Sequence, residues 1–80
     1  MEKNVERMFV KLSDFSDISH LANIASTTVA DKVTVYKDIY VVNGKSLMGL
    51  LSLNMAEGVT IEYPKGSKAL ESYLMNFKAE

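Results

Sequence analysis

Few side chains in this sequence of 80 residues are equipped for covalent chemistry. It has no cysteine and one histidine, His20, whose imidazole is the one side chain able to accept a phosphoryl group at nitrogen. Around His20 the residues Ile18, Leu21, Ala22, Ile24 and Ala25 recur at helical spacing, which predicts a helix from Ile18 to about Thr28. His20 then lies more than one turn inside that helix, beyond its terminal amides. The competing reading makes it a half-exposed residue packed on Phe15 across an N-cap at Ser16. Ser46 is the second residue of interest. It precedes a run from Leu47 to about Ala56 that reads as a helix. There its oxygen would accept a hydrogen bond from an amide near Met48 or Gly49. No cluster of Cys, His or acidic residues has metal-ligand spacing, so neither a metal nor another cofactor is expected.

The elements that must position these residues follow from periodicity. Met8, Val10 and Leu12 alternate with polar neighbours, which predicts a strand over 7–12. Ser13, Asp14 and Ser16 are each good N-cap candidates for the first helix, and Asp17 supplies an acid in its first turn. The β-rich runs 32–36 and 39–42 read as a tight hairpin across Lys37-Asp38. Tyr36 and Tyr40 are then expected on the uncovered face of the sheet, near Phe9, as cross-strand pairs or as an aromatic patch. Gly58 suits the position after the second helix, and 59–63 is a fourth strand ended by Pro64 and Gly66. Ser67 opens a last helix striped by Leu70, Tyr73, Leu74 and Phe77. The order β-α-β-β-α-β-α implies an α+β fold, a four-stranded antiparallel sheet with helices on one face.

Composition bounds the function. A net charge of −1 gives no general attraction for nucleic acid, and the charges are interspersed in sign as on a solvated surface. No apolar run reaches the roughly 18 residues of a membrane span. The opening from Met1 to Arg7 alternates charges and lacks an apolar signal core. One soluble, cytoplasmic domain over 1–80 is the expectation, stabilised by packing from its 48% hydrophobic content.

The segment Lys45-Ser46-Leu47-Met48-Gly49-Leu50-Leu51-Ser52-Leu53 resembles the regulatory-serine segment of the HPr phosphocarrier family, approximately Lys-Ser-Ile-Met-Gly-Val-Met-Ser-Leu. Gly58 falls where that family ends the same helix, and the element order agrees along the chain. The resemblance implies the HPr-like open-faced β-sandwich and a place in the bacterial sugar phosphotransferase system. It also implies a catalytic signature at the first helix, approximately Gly-Leu-His-Ala-Arg-Pro-Ala. Counted back from Ser46, Phe15 stands where the family has its histidine, Asp17 where it has arginine and Ile18 where it has proline. Phe15 offers no nucleophile, and Asp17 replaces a cation with an anion at a helix N-terminus, where a phosphoryl group would need attraction.

The resemblance therefore implies a protein-binding, regulatory member without carrier activity and not an enzyme. It would be similar in kind to the Crh proteins, which lack the histidine and keep the serine. Ser46 would be the regulatory phosphorylation site, as in members modified by the HPr kinase. Lys45, Leu47, Met48 and Leu51 would contact protein partners: the kinase, a transcriptional regulator or components of the phosphotransferase system. Leu47 and Leu50 carry the competing reading of core residues, and Lys45 that of a solvated cation. Two alternatives stand beside this one. One is a working phosphocarrier using His20, although His20 is followed by Ala22 and Asn23 where the signature has arginine and proline. The other is a diverged domain with unrelated partners.

Overall fold

In the computed structural model, residues 4–79 are described; Met1 to Lys3 of the charged opening and Glu80 lie outside them. The elements are β1 (Val5–Val10), α1 (Phe15–Thr28), β2 (Thr34–Lys37), β3 (Tyr40–Asn43), α2 (Leu47–Leu51), a 3-10 turn (Met55–Glu57), β4 (Val59–Pro64) and α3 (Lys68–Met75). The four strands form one antiparallel sheet in the order β1-β4-β2-β3. Three α-helices in the order β-α-β-β-α-β-α complete the expected α+β fold.

Period-two alternation decides which face is covered. Met8, Val10, Val35, Val59, Ile61 and Tyr63 are buried, while Arg7, Phe9, Tyr36, Thr60 and Glu62 between them point the other way. Against the buried side pack Leu21 and Ala25 of α1, Leu50 of α2, Met55, and Leu70 and Leu74 of α3. Tyr63 is part of this core, and its phenol is pushed above the usual tyrosine value by burial, then by the charges of Glu71 and Glu6. The open face carries a polar lattice instead. Arg7 pairs with Glu62 at 2.8 Å, and the Tyr36 hydroxyl donates to the other Glu62 oxygen at 3.2 Å. The outer edge of β1 is closed by the C-terminal segment: the Lys11 amide donates to the Phe77 carbonyl and the Ala79 amide to that of Phe9.

Several boundaries move from the expected ones, each for a local reason. The first strand spans Val5–Val10 rather than 7–12, and Leu12 is buried beyond its end, with its amide bonded to the Met55 carbonyl. The hairpin turns on Asp38-Ile39 rather than Lys37-Asp38. Asp38 takes the left-handed conformation (φ 54°) that aspartate tolerates. Lys37 joins the strand, with its ammonium held by Glu57 at 3.0 Å and Asp38 at 3.5 Å. That one-residue slip puts Tyr40 opposite Lys37, on the helix side, so it does not share a face with Tyr36. The row that does run across the open face is Phe9, Thr60, Tyr36 and Val41.

The second helix is shorter than the sequence pattern implies. α2 stops at Leu51 because the Ser52 hydroxyl donates to the Gly49 carbonyl at 2.6 Å, competing for the helical ladder. A separate 3-10 turn then carries Met55 into the core. Gly58 ends that turn rather than α2, at φ 109°, and a Cβ there would come within 2.3 Å of the Phe9 ring. Both the backbone conformation and the stacked ring require glycine. Ser67 stands at the N-cap of α3, but its hydroxyl donates to the Pro64 carbonyl and caps nothing.

Candidate partner-binding face around Ser46

The approach to α2 is built by local hydrogen bonds. Asn43 folds back on the chain: its side-chain oxygen accepts from the Lys45 amide at 2.9 Å and its carbonyl from the Ser46 amide at 3.0 Å. Gly44 donates to the Val33 carbonyl at 2.7 Å, so close that a Cβ would strike the Val33 side chain. Ser46 is thereby held in an extended conformation, and its Oγ accepts from the Gly49 amide at 3.1 Å. It is the N-cap of α2, as its position in the sequence requires.

Around it the four candidate contact residues separate. Met48 is 84% exposed and Leu51 46% exposed, both on the outer side of α2. Leu50 is fully buried, and Leu47 is half-buried against the core. The Lys45 ammonium is not free in solvent, because it donates to the carbonyl of Val29, the residue capping the C-terminus of α1, at 2.6 Å. A cation at that end of a helix is favoured by the unsatisfied carbonyls and the dipole. The Ser26 hydroxyl donates to the Lys45 carbonyl at 3.3 Å and adds a second tie. Sequence pattern alone did not show either contact; a lysine facing a β-branched helix end was the available signal.

These ties set α1 and α2 antiparallel. The end of α1 meets the start of α2, while the approach to α1 meets the segment after α2 through the Leu12 to Met55 bond. The N-terminus of α1 is capped by Asp14, not Ser16. The Asp14 side chain accepts from the Ser16 amide at 3.3 Å, and Phe15 is the first helical residue. Phe15 is 59% exposed. Asp17 lies in the first turn, and its backbone carbonyl accepts from the Tyr73 hydroxyl at 2.8 Å, locking α3 to α1. Burial, then the nearby carboxylates of Asp17 and Asp14, raise the Tyr73 phenol above its ordinary value.

His20 is exposed on the second turn, six residues past the cap and beyond the free amides of the helix start. Its ring meets the edge of Tyr73, with centroids 6.5 Å apart, rather than packing on Phe15 as a staple. Among the described residues no group of His and acidic side chains could hold a metal ion, and no helix is long and apolar enough to cross a membrane.

A family model for the phosphotransferase-system HPr component phosphorylation site matches residues 17–70. This chain belongs to the HPr family. The matched span opens at Asp17, takes in α1 from there, the hairpin, α2 and β4, and ends inside α3. HPr members are phosphocarrier proteins that work through other proteins of the phosphotransferase system, and protein partners follow for this chain. Neither the curated proteins nor the solved structures give a match.

Proposed function

We propose that this HPr-family chain is a protein-binding, regulatory member that carries no phosphate at the start of α1 and is phosphorylated instead on Ser46. The observation that carries the reading is the occupied helix start. At Phe15 there is no nucleophile, the Ser16 amide is already bonded to the Asp14 carboxylate, and Asp17 adds a second negative charge. An incoming phosphoryl group would be repelled where it needs donors and a cation. His20 supports the alternative carrier poorly, because it sits past the amides that would stabilise a phosphoimidazole.

For Ser46 the support is chemical. Its Oγ lies 3.1 Å from the Gly49 amide, so a phosphate there keeps a backbone donor at hand. Met48 and Leu51 beside it give an adaptable apolar surface for a protein, and Leu47 supports it from below. Lys45 contributes by fixing the α2 approach to α1 rather than by facing the partner. The partner classes are the HPr kinase, a transcriptional regulator and phosphotransferase-system components. One domain acting in the cytoplasm, where those proteins work, completes the reading.

The test is incubation with the first enzyme of the phosphotransferase system and labelled phosphoenolpyruvate. The expected outcome is no acid-labile, base-stable label. Stoichiometric label on His20 would overturn the reading and establish a working carrier. In parallel, a cognate HPr kinase with ATP should label Ser46, and an unmodified Ser46 would remove the regulatory half.

A further inference from the structure

The most exposed apolar segment among the described residues is not on the face just described. Ile39, Tyr40 and Val41 are consecutive and 87%, 59% and 61% exposed. Three adjacent exposed apolar residues have a cost in solubility that a chain retains only for use. They sit on β3, which is one edge of the sheet. The other edge, β1, is closed by Phe77 to Ala79 over Phe9 to Lys11. On β3 nothing comparable intervenes, and Tyr40–Asn43 has no proline and no charged residue to discourage pairing.

Backbone register says which groups are open. Lys37 and Tyr40 flank a two-residue turn and so form a hydrogen-bonded pair. The next pair, Tyr36 with Val41, is then the non-bonded type, which directs the amide and carbonyl of Val41 outward. Asn43 follows the same alternation, with its carbonyl already taken by the Ser46 amide and its own amide outward.

We infer that two copies of this chain associate through the edges of their β3 strands, antiparallel about a two-fold axis at Val41, joining their sheets into one. In that register Val41 of each copy exchanges both hydrogen bonds with Val41 of the other. The Asn43 amide of each reaches the Ile39 carbonyl of the other. Tyr40 of one copy stands beside Val42 of the other, over a groove of about 310 Å³ lined by Val42, Ser52, Leu53 and Asn54.

A second copy fits this edge because its charge pattern is self-complementary. The hairpin end carries Lys37, Asp38 and Glu57, a net negative charge of one, with the three held together in ion pairs. The opposite end carries Asp31, Lys32 and Lys45, a net positive charge of one. Antiparallel pairing of like strands sets the first end against the second, twice, as an isologous interface requires. Because β1 is closed, the pairing cannot continue into a filament. The strand is short, so the interface is expected below the ~1,200 Å² of stable complexes and the dimer to be weak.

The experiment is a dilution series of the full chain up to about 1 mM, the range in which an association of ~4 kcal/mol is read. It is followed by sedimentation equilibrium and by amide-resolved NMR. A reversible monomer–dimer equilibrium is expected, with the Val41 and Asn43 amides shifting with concentration and gaining exchange protection. Val41→Lys should weaken association at least tenfold without lowering the melting temperature. Ile39→Lys, at the turn, should do the same and serves if the first variant fails to fold. A monomer throughout the series overturns the inference. So does a dimer that both folded variants leave intact, or one whose shifts map to Phe15 and Met48. If the wild type stays monomeric while an extended peptide titrates the Val41 amide, the edge serves another protein and the second copy is wrong.

Discussion

At the scale of single residues, Ser46 shows how one side chain can answer to two demands. Its Oγ satisfies the Gly49 amide at the start of α2, a helix of only five residues with no long ladder to compensate for a lost cap. Gly49 itself lies close beneath, where an added Cβ would come within 3.3 Å of that oxygen and 3.4 Å of Val42. Removing the hydroxyl leaves the amide without its acceptor in a half-buried place. Ser46→Ala should therefore cost about 1 kcal/mol, and Ser46→Gly only a few tenths, since glycine opens the cap to water. Denaturant midpoints on the two variants check this, and a harmless alanine with a costly glycine would mean that α2 begins elsewhere. The capping role was legible from Ser46 preceding Leu47 and the apolar run. The bond of Lys45 to Val29 was not, because it joins residues on different elements and needs the fold to bring them together.

At the scale of elements, the start of α1 decides whether phosphate chemistry is possible, so its cap is worth testing directly. Three residues, Ser13, Asp14 and Ser16, were equal candidates by type. In the structure Asp14 has the extended backbone of an N-cap (φ −86°, ψ 129°) and accepts from Ser16, while Phe15 already has a helical place. Asp14→Ala should cost about 1 kcal/mol and Ser16→Ala less than about 0.5, because the exposed Ser16 side chain makes no printed bond of its own. Equal losses in thermal or chemical denaturation would contradict this cap. The same element shows what pattern reading resolves. Burial at Ile18, Leu21, Ala22 and Ala25 follows the helical spacing, and the alternation in β1 and β4 follows the strand spacing, because periodicity reports the covered face. Ends are less legible. The loss of the last turns of α2 comes from the Ser52 hydroxyl, and the hairpin shift comes from Asp38 accepting a positive φ. Each is a local competition between side chain and backbone that an apolar count does not see. Tyr40 changed faces for that reason alone.

At the scale of the molecule, the helices and the sheet present two different surfaces, and only the helical one carries the family's segment. The antiparallel pairing of α1 and α2 aligns the exposed Met48 and Leu51 along the side whose far end is Phe15, with Asp14 and Asp17 at that end. The open sheet face has Arg7, Tyr36 and Glu62 already bound to one another. A protein that docks on the helical side would bury Met48 from nearly full exposure, a gain of up to ~1.5–3 kcal/mol for such a side chain. Met48→Asp withdraws that gain and adds a carboxylate that must lose water, so binding should weaken at least tenfold. The variant should remain folded, because Met48 is exposed in the first turn of α2, where a negative charge is favoured. Capture from the native cytosol with wild type and variant, with the bound proteins identified and the melting temperatures compared, reads this out. Proteins held by the wild type and lost by the folded variant are the expected result. If both capture the same set, the interface lies on another part of the molecule, and Ser46 reverts to a helix cap.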